Sequence, residues 1–237
     1  MRKLLVALLL VATASFSYGT VFFQNDGNKE GWPNFPQTPQ AKGTINDVTS
    51  PSFQGNNAIN FTQTWIPNYT GRYHSEVVFQ NIQKTGDDRF YGLSVLFPQP
   101  WNTADSKICI QQWAGDGPWI LMELRGTELV FVRHALGVTN ITGPMPLGQW
   151  NRIVTHLRAT KNGILEVWVN GVKKFSLAGD FTVPSASGQA RWSAGEYVTG
   201  WTGVMTKPNP SFRQLFEDHY RVTSTEMEAE PANWNEP

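Results

Sequence analysis

Between Gly71 and Phe79 the chain alternates: Arg72, His74 and Glu76 fall on one side of an extended backbone, and Tyr73, Val77 and Phe79 on the other. A side-chain period of two makes this a strand with one face in a core and the other carrying a cation, an imidazole and a carboxylate. A face that only had to meet water would hold Thr, Ser, Lys or Gln, so the charged side reads as the wall of a groove. Short runs of β-branched and aromatic residues recur from residue 20 onward, punctuated by Gly, Pro and Asn, with almost no helical periodicity. They predict strands over 20–24, 58–64, 73–80, 90–97, 107–113, 120–125, 128–134, 150–159, 164–169, 172–176, 189–197 and 218–224. Arg125-Gly126-Thr127 and Asn170-Gly171 are tight-turn signals between them. That many strands in one compact domain imply an all-β fold of two packed sheets. The Pro- and Asn-rich stretch 33–51 reads as a long connection, and the acidic residues 226–237 as a loosely held tail.

The start of the chain changes the picture of where this domain works. Arg2 and Lys3 precede the apolar run Leu4 to Ala12, and Ser17-Tyr18-Gly19 offers small residues where a signal peptidase reads. Residues 1–19 are therefore expected to be a secretory signal peptide, too short to span a membrane, followed by one domain over 20–225 and the tail over 226–237. No later run is long and apolar enough to cross a bilayer, so the protein should be secreted, soluble and monomeric. Nineteen Lys and Arg balance nineteen Asp and Glu, which excludes the basic surface of a nucleic-acid binder. The single cysteine, Cys109, allows no internal disulfide, so stability must come from a hydrophobic core. In Ile108-Cys109-Ile110 it reads as a strand residue, buried or lining the groove, instead of a nucleophile. Asn60, Asn68 and Asn140 head glycosylation sequons usable in a eukaryotic host.

Two runs carry a resemblance. Gly148-Gln149-Trp150-Asn151-Arg152-Ile153-Val154, followed by Gly163 to Gly171 ending in Asn-Gly, resembles the hallmark hairpin of concanavalin A-like β-jelly rolls. Within that superfold, further stretches resemble secreted polysaccharide lyases of the type that includes fungal glucuronan lyases. His74-Ser75-Glu76-Val77 occupies the place of an Arg-x-Glu-Leu strand, and Gln112-Trp113-Ala114-Gly115 that of a Gln-x-His strand lacking the histidine. Ser193-Ala194-Gly195-Glu196-Tyr197 corresponds to a Lys-x-Gly-x-Tyr strand lacking the lysine, and Phe216 to Val222 resembles the closing strand. The resemblance implies a two-sheet jelly roll that cleaves an acidic polysaccharide, with glucuronan favoured because the alginate-type histidine and lysine are missing.

Cleaving a uronate chain by β-elimination needs a group that neutralises the sugar carboxylate, a base for the adjacent ring proton and an acid for the departing oxygen. Gln112, His74 and Arg72 are donors suited to the first role. Tyr197 is a candidate for base and acid, although making phenolate at neutral pH costs a tyrosine about 4 kcal/mol unless a cation lies close by. His74 is the other candidate base, since imidazole titrates near neutrality. Glu76 reads as orienting its neighbours at the substrate-binding wall. Alternation from Ile108 and Ile110 sends Gln111 to the groove and Gln112 to the core, whereas the motif selects Gln112; a bulge would reconcile them. Lys107, Trp113, Arg133 and Arg191, with Trp192, are candidates for holding carboxylates and sugar rings, and Trp201 and Lys207 for closing over them. The resemblance also implies a structural calcium, for which Asp26 and Asp218 are the candidate ligands. A carbohydrate-binding module on the same fold is the competing reading. A glycoside hydrolase ranks last, since no Glu-x-Asp-x-x-Glu strand is present.

Overall fold

The computed structural model describes residues 19–33, 40–101, 107–134, 137–204 and 206–234, with the backbone alone at 138–141. The expected signal peptide lies outside them except for Gly19. Two antiparallel sheets face each other, as the sequence pattern predicts. The larger contains β1 (Val21–Asn25), β2 (Thr44–Val48), β3 (Ala58–Thr64), β5 (Asp88–Leu96), β10 (Trp150–Arg158), β11 (Gly163–Val169), β12 (Val172–Gly179) and β14 (Phe212–Thr223). Its order is β12-β11-β10-β5-β14-β3-β2, with β1 also on β14. The smaller sheet runs β4 (His74–Lys84), β13 (Gln189–Tyr197), β6 (Lys107–Ala114), β7 (Pro118–Arg125), β8 (Glu128–Arg133) and β9 (Val138–Pro144).

The core between the sheets is aromatic at its centre. Trp192 of β13 meets Trp32 and Tyr91 with ring centroids 5.4 and 5.2 Å apart, and Trp113 of β6 meets Tyr91 at 5.2 Å. Offset and edge-on contacts of this kind add to the area term that dominates burial. A polar tie crosses the same interior: Gln63 Nε2 of β3 donates to Ser75 Oγ of β4 over 2.7 Å, and that hydroxyl donates to the Thr62 carbonyl over 2.8 Å.

Where structure and sequence pattern differ, the strand is either at an edge or polar on its inner face. β2 lies inside the stretch expected to be a plain connection; it closes the larger sheet with Ile45 as its buried residue. β9 is the edge of the smaller sheet, and edge strands need only a weak apolar pattern. β14 begins six residues earlier than Asp218 because Arg213 and Glu217 point inward with Leu215, which hides the alternation. At His219, φ of 55° interrupts its register, and there its flank passes from β3 to β1. Residues 226–234 do not hang loosely: α1 (Glu226–Ala229) is capped by Thr225, and Trp234 packs 4.6 Å from the His219 ring beneath the Arg221 guanidinium.

Trp113 and Trp192 were expected to offer faces to sugar rings, but both are wholly buried between the sheets. Trp192→Ala should cost about 3–5 kcal/mol of stability in urea unfolding. A variant with unchanged stability and weakened polysaccharide binding would return Trp192 to the groove.

Candidate active site

The outer face of the smaller sheet forms a groove of about 650 Å³ that crosses the strands from β4 to β8. Its floor is nearly dry. His74 ends the exposed wall at the start of β4, directly opposite Tyr197 on β13, and their rings stack with centroids 3.7 Å apart and planes 19° from parallel. Glu76, 1% exposed, lies beneath. One of its carboxylate oxygens takes His74 Nδ1 and the other accepts Gln112 Nε2 over 2.7 Å. A carboxylate buried this completely is stable only when both oxygens are met, so His74 and Gln112 are held in fixed orientation by one anion. Because an ionised carboxylate only accepts, Gln112 must turn its NH₂ inward, leaving its second N–H for the groove, and a neutral His74 must carry its proton on Nδ1.

Gly195 gives the intervening strand a backbone conformation that only glycine suits. It sits opposite Glu76, between Glu76 and Gln112, with φ of 126°; a Cβ there would come within 2.5 Å of the Ser75 carbonyl and 2.7 Å of the Phe61 ring. On β6 the register against β7 shifts between Cys109 and Gln111, which is the bulge that the two readings of this strand required. Ile108, Ile110 and Trp113 belong to the core, while Gln112 faces the groove. Gln111 turns inward and accepts Trp192 Nε1 over 3.2 Å, so it is not a groove residue.

A family model described as polysaccharide lyase matches residues 24–221. The chain belongs to the polysaccharide lyase family. It is 25% identical to the endo-β-1,4-glucuronan lyase of the fungus Trichoderma reesei, covering 91% of this chain and 100% of that one with a TM-score of 0.80. The cellulose-induced protein Cip1 shares the fold at 15% identity and a TM-score of 0.60, covering 86% of this chain and 97% of that one. An alginate lyase from Corynebacterium sp. shares it at 13% identity and a TM-score of 0.50, covering 70% and 76%. No curated protein sequence matches the chain.

In this polysaccharide lyase the groove also gathers Arg72, Lys107 and Arg191 from the expected cations. Arg72 is exposed at the lip, ahead of β4. Arg133 is elsewhere: its guanidinium covers the Phe181 ring at 4.3 Å and bonds the Asp180 carbonyl. Glu76 binds its protein neighbours and is not among the groove's lining residues, which corrects its expected place at the substrate. Trp201 is buried edge-on to Tyr73, and Lys207 is exposed beyond the lining. Cys109 is buried beside the floor; burial, then the Glu76 and Glu123 carboxylates, push its thiol pKa well up, so it stays a neutral thiol. Sequence reading missed Glu123, a buried carboxylate on the groove face of an otherwise apolar run; its pairing with Arg125 two residues later was the available signal.

The calcium candidates separate. Asp218 is fully buried, and its two oxygens accept the backbone N–H groups of His219 and Phe53 over 2.7 and 2.9 Å. It abuts the Asp26-Gly27 turn, where a Cβ on Gly27 would lie 2.7 Å from Asp218 Oδ1 and 3.0 Å from the Asn57 carbonyl. Asp26 is exposed. Among the described residues no three His, Cys, Asp or Glu side chains group around a metal position, and of the two candidates Asp218 is the one that lies by the Asn57 carbonyl at the turn.

Behind Tyr197, Glu196 points between the sheets, fully buried, and neither of its carboxylate oxygens has a hydrogen-bond partner among the described residues. Burial raises its pKa well above the ordinary 4.5, against the pull of Arg213 and with added repulsion from Glu217, itself raised by burial. The folded chain thus keeps protons that the unfolded chain releases above pH 4.5, and these carboxyls remove stability as pH rises. Glu196→Gln should raise the melting midpoint by a few degrees at about pH 8 and flatten its fall from about pH 5. Destabilisation at both pH values would show an ionised Glu196 paired with Arg213.

Proposed function

We propose that this polysaccharide lyase is a secreted enzyme that cuts a β-1,4-linked uronan internally by β-elimination, with glucuronan as its substrate. The observation that carries the reading is the stack of His74 on Tyr197 over the buried Glu76, with the free N–H of Gln112 beside it. Gln112 and Arg72 meet the carboxylate of the sugar being cleaved, favouring the enolate-like intermediate by fixed donors. His74, fixed by Glu76, lies against the Tyr197 ring and holds it in place at the reacting sugar. The phenolate takes the proton from C5; the C4–O bond then breaks, the phenol returns that proton to the departing oxygen, and a C4=C5 double bond remains. One group can serve both steps only if the proton and the leaving oxygen lie on the same side of the ring, as in glucuronate and mannuronate. Galacturonate and guluronate place them on opposite sides.

The test is to incubate the protein with glucuronan, alginate and pectate and follow the ultraviolet absorbance of the unsaturated product. Absorbance should rise on glucuronan and not on pectate. Tyr197→Phe should lose at least about a hundredfold in rate with its melting curve unchanged. Full activity in that variant would transfer the base role to His74 Nε2. Binding of all three polymers without any absorbance would favour the carbohydrate-binding module, a reading kept open by Ala114 and Ser193 at the places of the alginate-type histidine and lysine.

Calcium belongs to the proposal only beside Asp218, where the ion would neutralise a buried carboxylate and brace the first turn against the last strand. EDTA should then lower the melting midpoint by several degrees and added calcium restore it. An unchanged midpoint removes calcium from the account.

A further inference from the structure

Glu123 poses a problem that the chemistry at Tyr197 leaves unsolved. A carboxylate only 1% exposed stands on the floor of a groove proposed to hold a polyanion. It is not there as a bare negative charge. Arg125 holds one oxygen through Nε and Nη2 at 2.8 and 2.7 Å, and Lys107 Nζ lies 3.6 Å from the other. The three side chains sum to one positive charge, and Lys107, its side chain 48% exposed, is the one of the two cations that lines the groove. Its backbone is fixed as well, since Thr199 Oγ1 donates to the Lys107 carbonyl over 3.0 Å.

Strand register places this cluster with respect to the reacting centre. His74, Tyr197, Cys109 and Glu123 are successive partners across β4, β13, β6 and β7. Neighbouring strands are about 4.8 Å apart, so Glu123 stands about 10 Å from Tyr197 along the direction in which the groove runs. A 1,4-linked pyranose chain advances by about one strand spacing per sugar. In an extended ribbon successive rings are turned over, so carboxylates on one edge recur at every second sugar.

We propose that Lys107, positioned by Glu123, forms a second carboxylate subsite for the uronate two sugars away from the one at Tyr197. The inference rests on the uronan reading and adds to it a fixed spacing between two recognised charges. Glu123 is a positioning residue: it holds the ammonium over the floor and prevents it from swinging into solvent, where a surface cation is worth little.

Binding of glucuronan oligosaccharides of two to six sugars, measured by calorimetry in a Tyr197→Phe background, tests the subsite without turnover, and cello-oligosaccharides serve as the uncharged control. Affinity should step up by about tenfold at the length that first reaches Lys107. Lys107→Met should lose that step. Glu123→Gln keeps the cation, removes its anchor and should lose the step too. Tighter binding of the long oligosaccharides by Glu123→Gln would show that only net charge matters, and a step retained in Lys107→Met would remove the subsite; either result overturns the proposal. If Glu123→Gln melts below the assay temperature, Lys107→Met decides alone. No binding of any uronate oligosaccharide by the parent overturns the subsite together with the uronan reading. Binding with the expected steps but no cleavage by the wild-type protein overturns only the lyase chemistry.

Discussion

The Glu76 carboxylate is the interaction on which the site depends. Taking an anion out of water is expensive, and the expense is met only if each oxygen finds a donor in good geometry. Here one donor is His74 and the other is Gln112, on strands separated by β13. Three strands must therefore be in register before the charge is satisfied, and a glycine at 195 lets the middle one pack against the Ser75 carbonyl and the Phe61 ring. The fixed orientation of His74 and Gln112 follows from this demand; it is not an added feature.

The same sheet serves two surroundings. Its inner face buries Trp113, Trp192 and Ala194, and its outer face holds His74, Glu76, Gln112 and Glu123 at exposures usual for a core. Polar groups this dry cannot relax when substrate arrives, which is the condition under which fixed dipoles act most strongly on developing charge. The opposite kind of polarity lies behind Tyr197, where Glu196 and Glu217 occupy the interior as carboxyls whose pKa burial raises. They weaken the sandwich at higher pH, and nothing in the groove chemistry uses them directly.

Much of this was readable from alternation. The stretch from Arg72 to Phe79 divides between groove and core as its period of two requires, and β3 and β13 have the bounds that the pattern predicts. Alternation failed where the backbone broke it. The bulge before Gln112 reverses the faces of everything after Ile110, so Gln111 was assigned outward when it bonds Trp192 in the core. Trp113 and Trp192 were read as sugar platforms because tryptophan suits both a core and a groove, and type alone does not choose. Edge strand β2, with one buried residue, has too little pattern to detect, and the inward charges of β14 mimic an exposed segment. Glu123 and Arg125 were visible as a pair but carried no family motif, so the charge cluster they form with Lys107 emerged only from the register of β6 and β7.

The arrangement of β14 has a consequence for how the molecule comes into being. This strand lies between β5 and β3 and also accepts β1, so Val21 ends up paired with Thr223. The interior of the larger sheet is thus completed by a strand that follows all its neighbours in the sequence. Until then β5 and β3 have no common neighbour and β1 has no partner strand, and such long-range closure is slow. A nascent chain built in this order cannot close its larger sheet until β14 has emerged, and β1, β3 and β5 wait for their shared partner up to that point.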